Sequence, residues 1–159
     1  MPAFTHRAPG VVGAASDDAA HVEMISDGIH LHPAVVRSVF SWFGKDRVCL
    51  ISDSMRACGM PNGEYSLGGQ KVFMNDGKAT LEDGTIAGSA TCLAECFRRA
   101  VKSGVPLETA LKAATINPAK AVSLFDEVGS ITTGKRADVL ILNKETLQPE
   151  TIFIGGVKQ

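Results

Sequence analysis

The sequence predicts an α/β fold. Three observations carry that expectation. Residues 21–52 read as strand, loop, helix, strand, which is one βαβ unit. Residues 54–88 are rich in glycine and carry the turn pairs Asp76-Gly77 and Asp83-Gly84, which suit antiparallel hairpins. The tail from Ala137 returns to apolar, β-branched runs.

The chain opens on an aperiodic segment with Pro2, Pro9 and Gly10, read as a loop. Val11–Ala15 suits one or two helical turns. His21–Ile25 alternates as a strand does, with His21 read as structural. Pro33 opens a helix whose face is Val35, Val36, Val39, Phe40 and Phe43, and Gly44 suits its C-terminal cap. Val48–Ile51 is wholly apolar, as expected of a strand buried on both faces of a parallel sheet. Short antiparallel strands are expected around Tyr65–Leu67, Lys71–Met74 and Ala79–Leu81. Ser89 is read as the N-cap of a helix through Leu93, Phe97, Ala100 and Val101, closed by Gly104. Leu107, Ala110, Leu111 and Ala114 mark another helix. Asn117 is read as the cap of a short helix from Pro118 to Ser123. Ala137–Leu142 and Thr151–Ile154 are strands, and Gly155-Gly156 turns into a last short one.

Composition excludes several classes. The 159 residues are enough for a core but not for a complete (β/α)8 barrel of about 250 residues. Sixteen basic against seventeen acidic residues leave a charge of −1, so nothing draws the chain to nucleic acid or an anionic membrane. No apolar run is long enough to span a bilayer, and the N-terminus lacks a signal-peptide pattern. A cytoplasmic protein is expected, with Cys49, Cys58, Cys92 and Cys96 as reduced thiols.

Several residues are candidates for chemistry. Asp53 directly follows an apolar strand, where it suits acid–base work, metal binding, or simple capping of the next segment. Asp27-Gly28-Ile29-His30 follows the preceding strand, and His30 suits hydrogen bonding near neutral pH. His32 could pair with His30 as a zinc chelate, but its place before Pro33 favours a surface or capping role. Arg7 suits a phosphate or carboxylate, or plain solvent. Ile86-Ala87-Gly88-Ser89 reads as a turn running into a helix start, with backbone N–H groups to offer a substrate oxygen. Cys92 and Cys96 stand one helical turn apart, and are read as core packing rather than half a zinc site.

Longer strings go further. Ala114-Thr-Ile-Asn-Pro-Ala-Lys-Ala121, followed by the segment 129–142, resembles the C-terminal signature of the amidohydrolase superfamily. His6–Gly10, Ser26–His30, Ile51-Ser-Asp53 and Gly84–Ser89 resemble, in order and spacing, the N-acetylglucosamine-6-phosphate deacetylases within it. The resemblance implies the C-terminal part of a metal-dependent (β/α)8 barrel plus C-terminal strands of a small β-sandwich. Residues 1–122 would be barrel, with a β-hairpin insertion at about 60–88, and residues 123–159 sandwich. Residues 21–53 would be the last two barrel strands, and Met1 would follow the sixth strand's histidine motif.

The implied activity is hydrolysis of N-acetylglucosamine 6-phosphate to glucosamine 6-phosphate and acetate, in a homodimer. Asp53 would be catalytic, taking a proton from metal-bound water and giving it to the leaving amine. The segment Asp27, Gly28, Ile29 and His30 would bind substrate, with His30 in contact. So would the loop Ile86, Ala87 and Gly88, and Arg7 would reach the sugar phosphate from the neighbouring subunit. The divalent metal, zinc or similar, belongs to the complete enzyme; its ligands are absent from this sequence. The alternative is a truncated, non-catalytic fragment or an assembly partner.

Overall fold

The computed structural model describes residues 3–159. The expectation for Met1 lies outside them. Helix α1 (Gly10–Asp17) leads to strand β1 (Val22–Ile25), helix α2 (Pro33–Phe43) and strand β2 (Val48–Ile51). β1 and β2 are parallel, with Val22 opposite Val48 and Ile25 opposite Ile51. This is the expected βαβ unit. Each strand has only the other as neighbour among the described residues, so each leaves one edge open.

The caps of α2 follow from its sequence. The His32 ring accepts a hydrogen bond from the Ala34 N–H at 3.2 Å, which satisfies one orphan donor. Pro33 occupies the first turn, and Gly44 ends the helix at φ +73°. His32 thus has the capping role expected of it.

A second unit follows β2. Strands β3 (Gly63–Leu67), β4 (Gln70–Asn75), β5 (Lys78–Thr80) and β6 (Ile86–Ser89) form one antiparallel sheet in chain order. It has its own core of Met55, Ala57, Val72, Met74, Ala79 and Ala87. Here the expectation is corrected. Ile86–Ser89 is a strand, not a turn into a helix, and Ser89 is not an N-cap. The helix α3 (Leu93–Lys102) starts four residues after Ser89, directly behind Cys92. Pairing of β6 with β5 claims the backbone groups that a helix start would have left free.

Helices α4 (Leu107–Ala114) and α5 (Ile116–Ala121) pack with α3 against β2. The shared core is Met24, Val36, Phe43, Val48, Leu50, Phe97, Ala100, Val105, Ala110 and Ala113. Asn117 is a second correction. It lies inside α5, is fully buried, and its Nδ2 donates to the carbonyls of Lys45 at 2.9 Å and Val48 at 2.7 Å. It bolts α5 to the start of β2 instead of capping a helix. Cys92 is a third: Cys96 is buried in the core, but Cys92 is exposed. All four cysteines are free. Strands β7 (Val139–Leu142), β8 (Pro149–Ile154) and β9 (Val157–Lys158) close the chain as a separate antiparallel sheet.

Candidate functional site

The site candidates lie where β1, β2 and β6 end. Directly after β1, Ser26 is buried and its hydroxyl donates to the Cys96 carbonyl at 2.8 Å, tying this loop to α3. Asp27 is fully buried. Its Oδ1 accepts from the backbone N–H groups of Ile29 at 3.0 Å and His30 at 2.9 Å. Its Oδ2 takes the His30 Nδ1 at 2.8 Å and the Ser89 hydroxyl at 3.1 Å. Burial pushes the carboxyl up. The backbone bonds from His30 and Ile29, with the His30 ring, outweigh it and hold Asp27 below the usual carboxylate range.

An ionised carboxylate only accepts hydrogen bonds, so the His30 proton sits on Nδ1 and Nε2 is left for a ligand. The His30 side chain is 22% exposed and that of Asp27 1%, so of the two it is the imidazole that opens to solvent. This sharpens the expectation for Asp27: its carboxylate stands behind His30, engaged internally on both oxygens.

Gly28 makes the turn between them at φ +75°. A Cβ there would lie 2.7 Å from Arg99 Nη1, and that guanidinium donates to the Asp27 carbonyl. Glu95 in turn holds Arg99, accepting from its Nε at 2.7 Å, and Arg98, accepting from its Nε at 3.0 Å. Burial raises the Glu95 carboxyl, and the two arginines more than reverse this.

Asp53 follows β2 with φ +50°, in the left-handed region that few non-glycine residues adopt. Neighbouring backbone holds it there. The Ser89 N–H donates to the Asp53 carbonyl at 3.0 Å, and the Met55 N–H donates to the Ser89 carbonyl at 2.8 Å. The Ser54 hydroxyl adds a bond to the Thr91 carbonyl at 2.8 Å. Asp53 itself is exposed. Gly88 is at φ +121°, where an added Cβ would sit 3.7 Å from the Asp53 carbonyl.

Ile86, Ala87 and Gly88 run up to this point as β6. Strand ends therefore bring Asp27, His30, Asp53 and Gly88 together. Arg7 is not gathered with them: it lies exposed in the N-terminal loop, and no hydrogen bond ties it to those residues among the described ones. Sequence reasoning missed the role of Ser89. A Gly-Ser pair before an apolar helical pattern reads as a cap, and nothing local signals that it ends a strand. Among the described residues no three His, Cys, Asp or Glu side chains cluster to hold a metal ion.

The sequence model of the amidohydrolase family matches residues 10–158. This chain belongs to the amidohydrolase family. It is 38% identical over 159 residues to the N-acetylglucosamine-6-phosphate deacetylase of Bacillus subtilis, covering 99% of this chain and 40% of that one. It is 38% identical over 158 residues to a putative N-acetylgalactosamine-6-phosphate deacetylase of Escherichia coli K12, covering 98% of this chain and 93% of that one. The chain thus spans about 40% of the length of the Bacillus relative.

Solved amidohydrolase structures agree over the same region. The N-acetylglucosamine-6-phosphate deacetylase of Pasteurella multocida superposes with a TM-score of 0.93 at 30% identity, over 99% of this chain and 41% of its own. A mutant of the Mycobacterium smegmatis deacetylase, in complex with N-acetyl-D-glucosamine-6-phosphate, gives 0.93 at 34%, over 99% and 42%. The chain therefore has this family's α/β fold over the part that it spans. No helix among the described residues is long and apolar enough to cross a membrane.

Proposed function

We propose that the chain supplies the Asp53 and His30 side of a hydrolytic deacetylase site acting on N-acetylglucosamine 6-phosphate. The observation that carries this reading is the exposed Asp53, held at φ +50° by the Ser89 bridge beside the Asp27–His30 pair. A backbone in a sparsely populated region, maintained by its surroundings, is what a positioned functional group needs. Family membership and relatives named as amino-sugar-phosphate deacetylases support the substrate class.

Asp53 takes the proton of the attacking water and returns it to the departing amine nitrogen. His30 presents Nε2 to the substrate, as acceptor when neutral and as donor once protonated. Ile86, Ala87 and Gly88 line one wall through β6, and Arg7 meets the phosphate across a homodimer interface. A divalent metal would polarise the acetyl carbonyl in the complete enzyme. The described residues do not form a ligand set for it.

Residues 1–122 form the barrel part, with the four-stranded sheet as its insertion, and residues 123–159 the sandwich part. The parallel pair β1–β2, open on both edges, and the separate antiparallel sheet β7–β9 support this division. A cytoplasmic location fits a sugar-phosphate substrate. The rival reading, an assembly partner without its own turnover, is favoured by the open edges of the parallel pair β1–β2, which another chain can pair with.

The test is a chimera in which this chain replaces the matching 40% of the Bacillus subtilis relative. Acetate release from N-acetylglucosamine 6-phosphate, faster than from its galactose epimer, is expected. A folded chimera inert on both sugars would overturn the reading. The isolated chain, assayed with added zinc, separates the rival: turnover by it alone excludes the assembly-partner role.

A further inference from the structure

Ser89 is hydrogen-bonded to both halves of the candidate site. Its backbone bridges Asp53, donating N–H to the Asp53 carbonyl at 3.0 Å and accepting from Met55 at 2.8 Å. Its hydroxyl donates to Asp27 Oδ2 at 3.1 Å, the oxygen that also takes the His30 ring at 2.8 Å. The same hydroxyl accepts from the Thr91 N–H at 3.1 Å. Ser89 is 1% exposed, so no substrate reaches it. Its hydroxyl has a single proton, and the Thr91 N–H occupies an acceptor position, so that proton points at Asp27.

We infer that Ser89 is a positioning residue that locks the Asp27 carboxylate, and through it the proton-bearing edge of His30, to the same strand end that holds Asp53. The inference rests on the functional reading above for its purpose, but not for its test. Without the hydroxyl, Asp27 Oδ2 keeps only the His30 ring as partner. Oδ1 stays on the Ile29 and His30 N–H groups, but Oδ2 loses the second of its two partners, and its hold on the His30 Nδ1 proton loosens. A residue that merely filled space at the end of β6 would leave the imidazole unchanged.

The test uses the 159-residue chain and nitrogen-15 resonances of the His30 ring. In the unsubstituted protein Nδ1 is expected to carry the proton and Nε2 to be the bare, pyridine-type nitrogen. Ser89→Ala should give a tautomer mixture and faster exchange of the Nδ1 proton; Ser89→Thr, which keeps a hydroxyl, should restore the single form. Ser54→Ala removes a different bond of the same bridge and should leave His30 as it was.

In the active chimera Ser89→Ala should lower kcat about tenfold with KM little changed, the size expected when a partner orienting a working imidazole is lost. Two results would overturn the inference: a bare Nδ1 in the unsubstituted protein, or an unaltered single tautomer in a folded Ser89→Ala variant. The first needs no variant to fold. An inert chimera would count against the deacetylase reading and would leave the ring measurement standing.

Discussion

Asp27 Oδ2 and His30 Nδ1 stand 2.8 Å apart at the end of β1, one side chain buried and the other partly open. The pair is a buried carboxylate behind a partly open imidazole, and in the proposed site the inner group sets the proton while the outer group meets the substrate. Asp27→Asn tests this division of labour. The amide can turn its oxygen to the two backbone N–H groups, but its NH2 then faces His30 Nδ1 and forces the proton onto Nε2. Ring nitrogen shifts should invert. Turnover in the chimera should fall by about 10–100-fold.

The same carboxylate predicts a pH dependence. Its value in the folded state lies below the usual 3.8, because the His30 and Ile29 bonds outweigh burial. Its stabilising contribution is therefore complete above that usual value and is lost as pH falls through the lower, folded one. Thermal melts from neutral pH down to the strongly acidic range should show an acid limb that Asp27→Asn flattens. An identical limb in both proteins would remove Asp27 as its source.

Gly28 gives a stability prediction. Alanine at φ +75° pays roughly 1–2 kcal/mol for the left-handed backbone. Its Cβ would also meet Arg99 Nη1 at 2.7 Å and displace the guanidinium from the Asp27 carbonyl. Denaturant unfolding of Gly28→Ala should report at least that loss.

Much of the fold was legible because local signals agreed with tertiary demands. Pro33, His32 and Gly44 framed α2, and the alternation of His21–Ile25 with the apolar run Val48–Ile51 gave the parallel pair. Asp76-Gly77 and Asp83-Gly84 marked hairpins that the antiparallel sheet contains. Two of the three misreadings share one physical cause. Ser89 and Asn117 are residue types that favour caps, and each spends its hydrogen bonds on a partner distant in sequence: Asp27 across 62 positions, Val48 across 69. Spacing along one element carries no trace of such bonds. The positions of Asp27, His30 and Asp53 were legible as strand ends, but their connection through Ser89 was not.

Asn117 yields a prediction from that misreading. Asn117→Ala strips the buried Val48 carbonyl and the part-buried Lys45 carbonyl of their donor. A buried group left unsatisfied costs about 1–3 kcal/mol, so a loss of about that size, mainly from Val48, is expected in chemical denaturation.

Cysteine reactivity checks the packing around α3. Burial, and then the charge of Asp27, push the Cys96 thiol up to about 11. Burial likewise raises the buried Cys49. An alkylating reagent near pH 8 should modify exposed Cys92 in the native protein, and should reach Cys49 and Cys96 only after unfolding. Peptide mass mapping reads the order directly.

The central claim is that Asp53 carries the proton. The most direct measurement is kcat for acetate release by the chimera with and without Asp53→Asn. Asparagine keeps the side chain's size and the tolerance of this left-handed backbone, but neither takes nor returns a proton. A fall of at least about 100-fold with KM nearly unchanged is expected. Turnover within about threefold of the unsubstituted chimera would contradict it.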